Sequence, residues 1–180
     1  MKPPFFTIGH STRSIEEFVH LLRAAEVTLV ADIRSVPRSR TNPQYNKDVL
    51  PATLVAYGID YVHIAQLGGL RSKSKTIAET TNGFWENRSF QNYADYALTP
   101  PFQEGLDQLL ALGAKQRCAI MCSEAVWWRC HRRIVTDHLL AHGEQVFHLM
   151  STEKQVPASF TKGAIVKSEL VTYPPDDVPK

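Results

Sequence analysis

The chain has 180 residues, of which 43% are hydrophobic and 21% charged, and its formal net charge is +2. These values are typical of an ordinary globular protein, and the net charge is too small to indicate nucleic-acid binding by itself. No apolar run approaches the roughly 20 residues of a membrane span, so no membrane partner is expected. Two prolines follow Lys2 where a secretory signal would need an apolar core. Three cysteines without disulfide-framework spacing predict a reducing, cytoplasmic location.

Strand and helix patterns alternate through the first half of the chain. The apolar run Phe5–Ile8 predicts a first strand. Ser14 and Glu17 match a capping box, which predicts an amphipathic helix beginning after Ser14. The next predicted elements are a buried strand at 27–31, a helix at 47–57 and a strand at 60–64.

The same alternation continues in the second half. Residues 90–112 predict one broken helix or two, because Pro100 and Pro101 interrupt the periodic pattern. The apolar residues 118–122 predict a strand, followed by a turn at Ser123 and Glu124 and a helix from about Trp127. The last predicted elements are a strand at 145–150 and, at 166–173, a sixth strand or an extended arm.

This alternation predicts an α/β fold, a single-domain three-layer Rossmann-like sandwich with a mainly parallel sheet of about five or six strands. The domain would span 1–173, and 174–180 would form a C-terminal tail. In such sheets, ligands bind beyond the carboxyl ends of the strands. Three basic stretches without acidic residues, at 33–47, 61–78 and 125–136, include these predicted ends. A positively charged site is therefore expected there.

The motifs at the predicted strand ends also carry a family resemblance. They are Thr7–Thr12, Asp32–Ser39, Leu67–Arg71, Tyr93–Tyr96, Met121–Glu124 and Cys130–Arg132. Together they resemble the bacterial and archaeal domain of unknown function 488, in that family's order and over nearly the whole chain. The resemblance implies a single α/β domain but no established reaction, so the chemistry has to be argued from the residues.

Three residues are candidates for catalysis. A Cys122 thiol at a helix N-terminus beside arginines would have a lowered pKa and could act as a nucleophile; the alternative is a small, buried, inert cysteine. Glu124 could act as a general acid or base, or could simply favour a helix N-terminus. His10 would assist proton transfer.

Asp32 and Arg34 flank Ile33 at the end of the second strand, so both side chains can point to one face. The Arg34 guanidinium suits bidentate contact with a phosphate or carboxylate. Asp32 could orient that arginine or bind a ribose hydroxyl. The alternative is an internal salt bridge between the two.

The other predicted binding residues follow the remaining strands. A phosphate could approach the amides after Gly9, beside Ser11. Arg71 and Arg132 would hold the anion, and Trp127 could stack a base. Two further wall residues complete the set: Gly69 and His131.

A metal site is a weaker prediction. Cys122, Cys130, His131 and His10 could form a Cys₂His₂ zinc site, but Cys-x₇-Cys-His is not a usual zinc spacing. Adjacent helical residues also point about 100° apart. The alternative is that Cys130 packs against the sheet and His131 bonds to a strand-end carbonyl. No cofactor is therefore predicted.

These residues favour an enzyme that acts on a small anionic, nucleotide-like substrate at the carboxyl ends of the strands. One alternative is a module that binds nucleic acid or a modified nucleotide without catalysis. Another is a metal-assisted hydrolase that uses the Cys/His cluster.

Overall fold

A computed structural model describes residues 1–176, so 177–180 of the predicted tail lie outside the described residues. The elements are β1 (Phe5–Gly9), α1 (Ile15–Ala24), β2 (Leu29–Asp32), α2 (Leu50–Val55), β3 (Asp60–His63), α3 (Arg88–Tyr96), α4 (Pro100–Gly113), β4 (Cys118–Cys122), α5 (Arg132–Ala141), β5 (Val146–Ser151), β6 (Lys154–Pro157), β7 (Ile165–Lys167) and β8 (Leu170–Thr172). Three 3₁₀ turns lie in the connections, at Pro43–Tyr45, Ala65–Leu67 and Trp127–Arg129. Among the described residues, no helix has the length and apolar character needed to cross a membrane.

The main sheet has six strands in the order β3-β2-β4-β1-β5-β6. The first five strands of the chain pair in parallel, and β6 pairs antiparallel with β5. The predicted α/β class and mainly parallel six-stranded sheet are therefore confirmed. The segment at 166–173 differs from the prediction, because it forms a separate antiparallel pair, β7 and β8.

The helices cover both faces of the sheet. Phe18 of α1 and Leu54 of α2 belong to the core on one face, together with Val30. Leu106 of α4 and Ile134 of α5 belong to the core on the other face. Since side chains alternate along a strand, successive residues of β2 and β4 feed these two cores in turn.

The direction of the connections fixes where a crevice forms. From β1 the chain runs through α1 to β2 on one side, and from the adjacent β4 it runs through α5 to β5 on the other side. Right-handed crossovers in opposite directions place their helices on opposite faces of the sheet. A crevice opens between the neighbouring strands at such a switch point, beyond their carboxyl ends.

Two helix starts follow from local sequence. The Ser14 hydroxyl accepts from the Glu17 amide at 3.2 Å, and the Glu17 carboxylate accepts from the Ser14 amide at 3.5 Å, so the capping box is confirmed. Pro100 and Pro101 fall in the first turn of α4, where a missing amide proton is tolerated. The region at 90–112 is therefore two helices.

The helix predicted from about Trp127 is present, but it begins later than predicted. Only a short 3₁₀ turn forms there, Cys130 is extended with φ −133° and ψ 149°, and α5 begins at Arg132. The connection after β4 first crosses over the end of β1. A Cβ at Gly9 would overlap the carbonyl oxygen of Glu124, so this crossing requires glycine. Cys122 is consequently not at a helix N-terminus.

Candidate functional site

A cleft of about 610 Å³ lies beyond the carboxyl ends of β1, β2 and β4. This volume is in the range of small-molecule sites. The walls come from these strand ends, the loops after β2 and β3, the start of α3 and the connection from β4 to α5. Six of the residues predicted for the site line it: His10, Arg34, Gly69, Cys122, Glu124 and His131.

Arg34 forms the fixed positive end of the cleft. Its Nε donates to Asp32 Oδ1 at 2.9 Å, and its Nη2 donates to Asp32 Oδ2 at 2.7 Å and to the Tyr45 carbonyl at 2.6 Å. The Tyr61 hydroxyl donates to Asp32 Oδ2 at 2.5 Å. Asp32 is fully buried, so it orients Arg34 through an internal salt bridge and does not face the cleft.

His10 lies against this pair. Its Nδ1 bonds to the Ser11 carbonyl at 2.9 Å, which identifies Nδ1 as the protonated nitrogen. Nε2 is then free to accept from Arg34 Nη1 at 3.3 Å. The ring stacks on Tyr45 with centroids 4.3 Å apart. Burial, assisted by the charge of Arg34, lowers the pKa of His10, so the imidazole is neutral at pH 7.

A sulfur-rich cluster forms the facing wall. Cys122 and Cys130 are paired as a disulfide, with their Cα atoms 7.7 Å apart. His131 Nε2 donates to the Ile33 carbonyl at 2.7 Å, and Nδ1 is 3.6 Å from Cys130 Sγ. Burial lowers the pKa of His131 to about 4, so this ring is also neutral. The expected bond between His131 and a strand-end carbonyl is present.

The disulfide and the position of α5 bear directly on Cys122. A disulfide sulfur carries no thiolate, and no helix begins at this residue to lower its pKa. The helix N-terminus expected at Cys122 is therefore absent, and in the disulfide its sulfur is not a free thiolate. Its side chain forms part of the cleft wall.

Glu124 and the rim arginines carry the exposed charge. The Glu124 side chain lines the cleft, and its backbone carbonyl accepts from Arg132 Nη2 at 2.6 Å. Arg38 and Arg129 are exposed on the lining. With Arg34, the lining carries three arginines against one carboxylate, so the cleft has a net positive charge.

The predicted anion ligands Arg71 and Arg132 are used elsewhere. Arg71 stacks on Tyr96, its guanidinium carbon 3.8 Å from the ring centroid, and donates to the Gly68 and Ala65 carbonyls. Arg132 is 1% exposed and lies beneath the cleft wall. Both arginines hold the surrounding backbone and do not line the cleft.

Ser11 and Trp127 also lie outside the lining. The Ser11 amide donates to the Ser123 carbonyl at 3.0 Å, so it is not free for a phosphate. The close approach at Gly9 is made by the chain itself. Trp127 stacks on His148, with centroids 4.3 Å apart and planes at 4°, where sequence reasoning expected a base.

Several lining residues were missed from the sequence. They include Arg38, Ser39, Asn87, Ser89 and Phe90. Asn87 caps α3, its side chain accepting from the Ser89 amide at 2.8 Å. Asn87 before an amphipathic helix was a usable signal for a helix start, but nothing local showed that this start faces the strand ends.

Comparisons with known proteins identify a family and assign no chemistry. The family model described as "Domain of unknown function DUF488" matches residues 14–139. No curated protein and no solved structure shows a significant match to the chain. The match spans most of the chain and includes β2, β4 and the start of α5, which build the cleft. The protein therefore belongs to the DUF488 family.

Proposed function

We propose that the protein is an enzyme that binds a small anionic substrate in the cleft, with Arg34 as its anchor. The observation that carries this proposal is the hydrogen bonding of Arg34. Asp32 and the Tyr45 carbonyl hold Nε and Nη2, which leaves Nη1 towards His10 and the cleft. A guanidinium fixed in this way binds an anion without losing side-chain entropy.

The rest of the lining supports a nucleotide-like substrate. Arg38 and Arg129 add exposed positive charge at the rim, where they can bind further phosphate oxygens. Phe90 and Leu70 supply apolar surface on the same lining, which suits a base or another flat group. A ligand with a charged end and an apolar end uses both parts of the cleft.

Glu124 is the acid–base group of this proposal. It is the carboxylate on the lining, and it is exposed on the wall facing Arg34, so it can reach a bound substrate. His10 assists proton transfer through Nε2. When a bound anion accepts the hydrogen bond of Arg34 Nη1, the lone pair of His10 Nε2 becomes free. The negative charge of the anion then favours protonation of this nitrogen.

Two contacts favour a small ligand over a nucleic-acid chain. Trp127 is already stacked on His148, so one face of its ring is not available to a base. Lys73, in the second basic stretch, is paired with Glu79 at 2.6 Å. Both side chains are therefore engaged within the protein.

The proposal is tested by calorimetric titration with inorganic phosphate, pyrophosphate and AMP, following a thermal-shift screen of nucleotides and phosphorylated metabolites. Arg34→Lys keeps the positive charge but loses the planar guanidinium group and its bidentate hydrogen bonding, so it should weaken binding of AMP by about tenfold or more. Arg129→Ala should weaken it less. Arg40→Ala, an exposed arginine outside the lining, is the matched control and should bind like the wild type.

Catalysis is tested separately with Glu124→Gln. This variant should keep its affinity for a turned-over substrate and lose about 100-fold or more in kcat. If no anion stabilises the wild type, or if Arg34→Lys binds AMP as tightly as the wild type does, the proposal is wrong. Equal kcat for Glu124→Gln would remove the acid–base role.

A further inference from the structure

We propose that the reduced protein binds one divalent metal ion of the thiolate-preferring class, Zn²⁺, through Cys122, Cys130 and His131. This goes beyond the anion-binding function and does not depend on it. The two sulfur atoms and a ring nitrogen of His131 lie within 4.8 Å of one another. Two thiolates and one imidazole, with the fourth position open, form a ligand set used by catalytic zinc sites.

The hydrogen bond of His131 prepares it for a metal. Because Nε2 donates to the Ile33 carbonyl at 2.7 Å, Nδ1 keeps its lone pair, and it faces Cys130 Sγ at 3.6 Å. Metal-binding histidines almost always donate their other N–H to a carbonyl or carboxylate in this way. A Cβ at Gly69 would lie 2.6 Å from Nδ1, so the glycine makes room for the ring.

A buried arginine supplies the charge that thiolates need. The backbone amide and Nε of Arg132 each donate to Cys130 Sγ at 3.4 Å. Arg132 is 1% exposed, and none of the salt bridges among residues 1–176 includes it. A buried cation without a carboxylate partner is costly, and a thiolate beside it would offset that cost.

The backbone also suits a metal between the cysteines. Their Cα atoms are 7.7 Å apart, whereas disulfides usually span about 4.4–6.8 Å. Two sulfurs on one zinc, each about 2.3 Å from the ion, are about 3.8 Å apart and fit a wider backbone separation. The disulfide is then the oxidised, metal-free state of the same pair.

The structure also removes the geometric objection raised by the sequence. Cys130 and His131 are adjacent, but Cys130 is extended and His131 precedes the first residue of α5. The angle of about 100° between neighbouring side chains on a helix therefore does not apply to this pair. Both line the cleft with Cys122. The open fourth position therefore faces the space that also contains Glu124.

Conversion between the two states is a balanced step. A phosphine reductant is oxidised to its phosphine oxide with the oxygen of one water, and it supplies two electrons to the disulfide. The two protons of that water go to the sulfurs, which become thiols. Zn²⁺ then displaces the two thiol protons to the solvent and binds both thiolates.

The test uses the full chain, reduced with a phosphine, stripped with a chelator and titrated with Zn²⁺ against a chromophoric chelator. We expect about one Zn²⁺ per chain, and a thiolate charge-transfer absorption when Co²⁺ is bound instead. Cys130→Ser and His131→Gln should each weaken Zn²⁺ binding by about tenfold or more. Cys118→Ser is the matched control, since this cysteine is buried outside the cluster and burial raises its pKa to about 12.

The proposal is overturned if the reduced wild type retains no more Zn²⁺ than the Cys122→Ser, Cys130→Ser double variant. It is also overturned if Cys130→Ser binds as tightly as the wild type. Far-UV circular dichroism checks that each variant is folded, and the stoichiometry of the wild type decides the question without variants. AMP binding to the stripped protein, measured in parallel, separates failure of this site from failure of the anion site.

Discussion

The two walls of the cleft are built differently. At the end of β2, Asp32 and Arg34 are 0% and 6% exposed and are hydrogen-bonded to each other, to Tyr61 and to Tyr45. After β4, the segment 123–129 is mostly exposed or half-buried and has only a single 3₁₀ turn. The first wall is part of the core, and the second is a loop laid across it. Changes in the first should therefore alter stability as well as ligand binding, whereas changes in the second should mainly alter ligand binding.

The largest effect is expected from breaking the buried pair. Asp32→Asn removes the charge that balances Arg34 and should destabilise the protein by about 3–5 kcal/mol, measured by urea unfolding. Glu79→Gln breaks the pair with Lys73, in which the Glu79 and Lys73 side chains are 72% and 60% exposed, and it should leave the urea unfolding midpoint close to that of the wild type. Equal losses in the two variants would contradict the contrast between a buried and an exposed pair.

A smaller loss is expected where the loop crosses the core. Gly9→Ala places a Cβ against the carbonyl oxygen of Glu124, and the backbone after β4 has to move away. Overpacking of this kind should cost about 1–3 kcal/mol and should weaken AMP binding, because the cleft wall that carries Arg129 moves with the backbone. An Ala variant with wild-type unfolding midpoint and wild-type affinity would show that the loop does not depend on this contact.

The loss of stability at acid pH should depend on His138 in α5. Burial, with repulsion from His142, lowers the pKa of His138 to about 3 from 6.5. Between these values the unfolded chain binds the extra proton, so this stability is present above pH 6.5 and is lost as the pH falls towards 3. His138→Leu removes this proton-binding site. The free energy of unfolding of the variant, relative to that of the wild type, should therefore rise by about 2 kcal/mol from pH 8 to pH 5.

This experiment has an internal check at neutral pH. Within residues 1–176, neither ring nitrogen of His138 has a hydrogen-bond partner, and the ring packs 4.9 Å from Phe102. Replacing it with leucine should therefore leave stability at pH 8 unchanged or raise it by about 1 kcal/mol. An advantage that stays constant from pH 8 to pH 5 would rule out the titration.

The smallest effect is expected at the loop surface. Trp128 is 45% exposed and packs edge-on against Trp127. Trp128→Ala should change the free energy of unfolding by about 0.5 kcal/mol or less. It should also leave binding of single-stranded oligonucleotides as weak as in the wild type. A marked loss of such binding would instead support a nucleic-acid-binding surface.

Much of the fold could be predicted because its signals are local. The capping box at Ser14 and the prolines of α4 act within one helical turn, and the buried strands are continuous apolar runs. Strand β6 was missed because Lys154–Pro157 has no alternating pattern, and its pairing depends on β5. The helix at Trp127 was predicted from chemistry-rich residues, whereas the crossing over Gly9 keeps that segment out of a helix.

The site was predictable where strand ends supply it and not where helices and loops do. His10, Arg34 and Cys122 meet because the carboxyl ends of parallel strands lie at one edge of a sheet. Phe90 reaches the same cleft only through the path of the long loop after β3, which no local pattern encodes. The direction of the Arg132 side chain depends on where α5 begins. Sequence spacing alone therefore could not show that this side chain lies beneath the cleft wall, where it supports the backbone.

The central claim is that Arg34 binds the anion directly. An NMR titration that follows the ¹⁵Nε–¹Hε signals of the arginines as AMP is added tests it on the guanidinium group concerned. The Arg34 signal, assigned by its loss in Arg34→Lys, should shift and saturate with the affinity found by calorimetry, while the Arg40 signal stays in place. Saturable AMP binding that leaves the Arg34 signal unmoved would contradict the account.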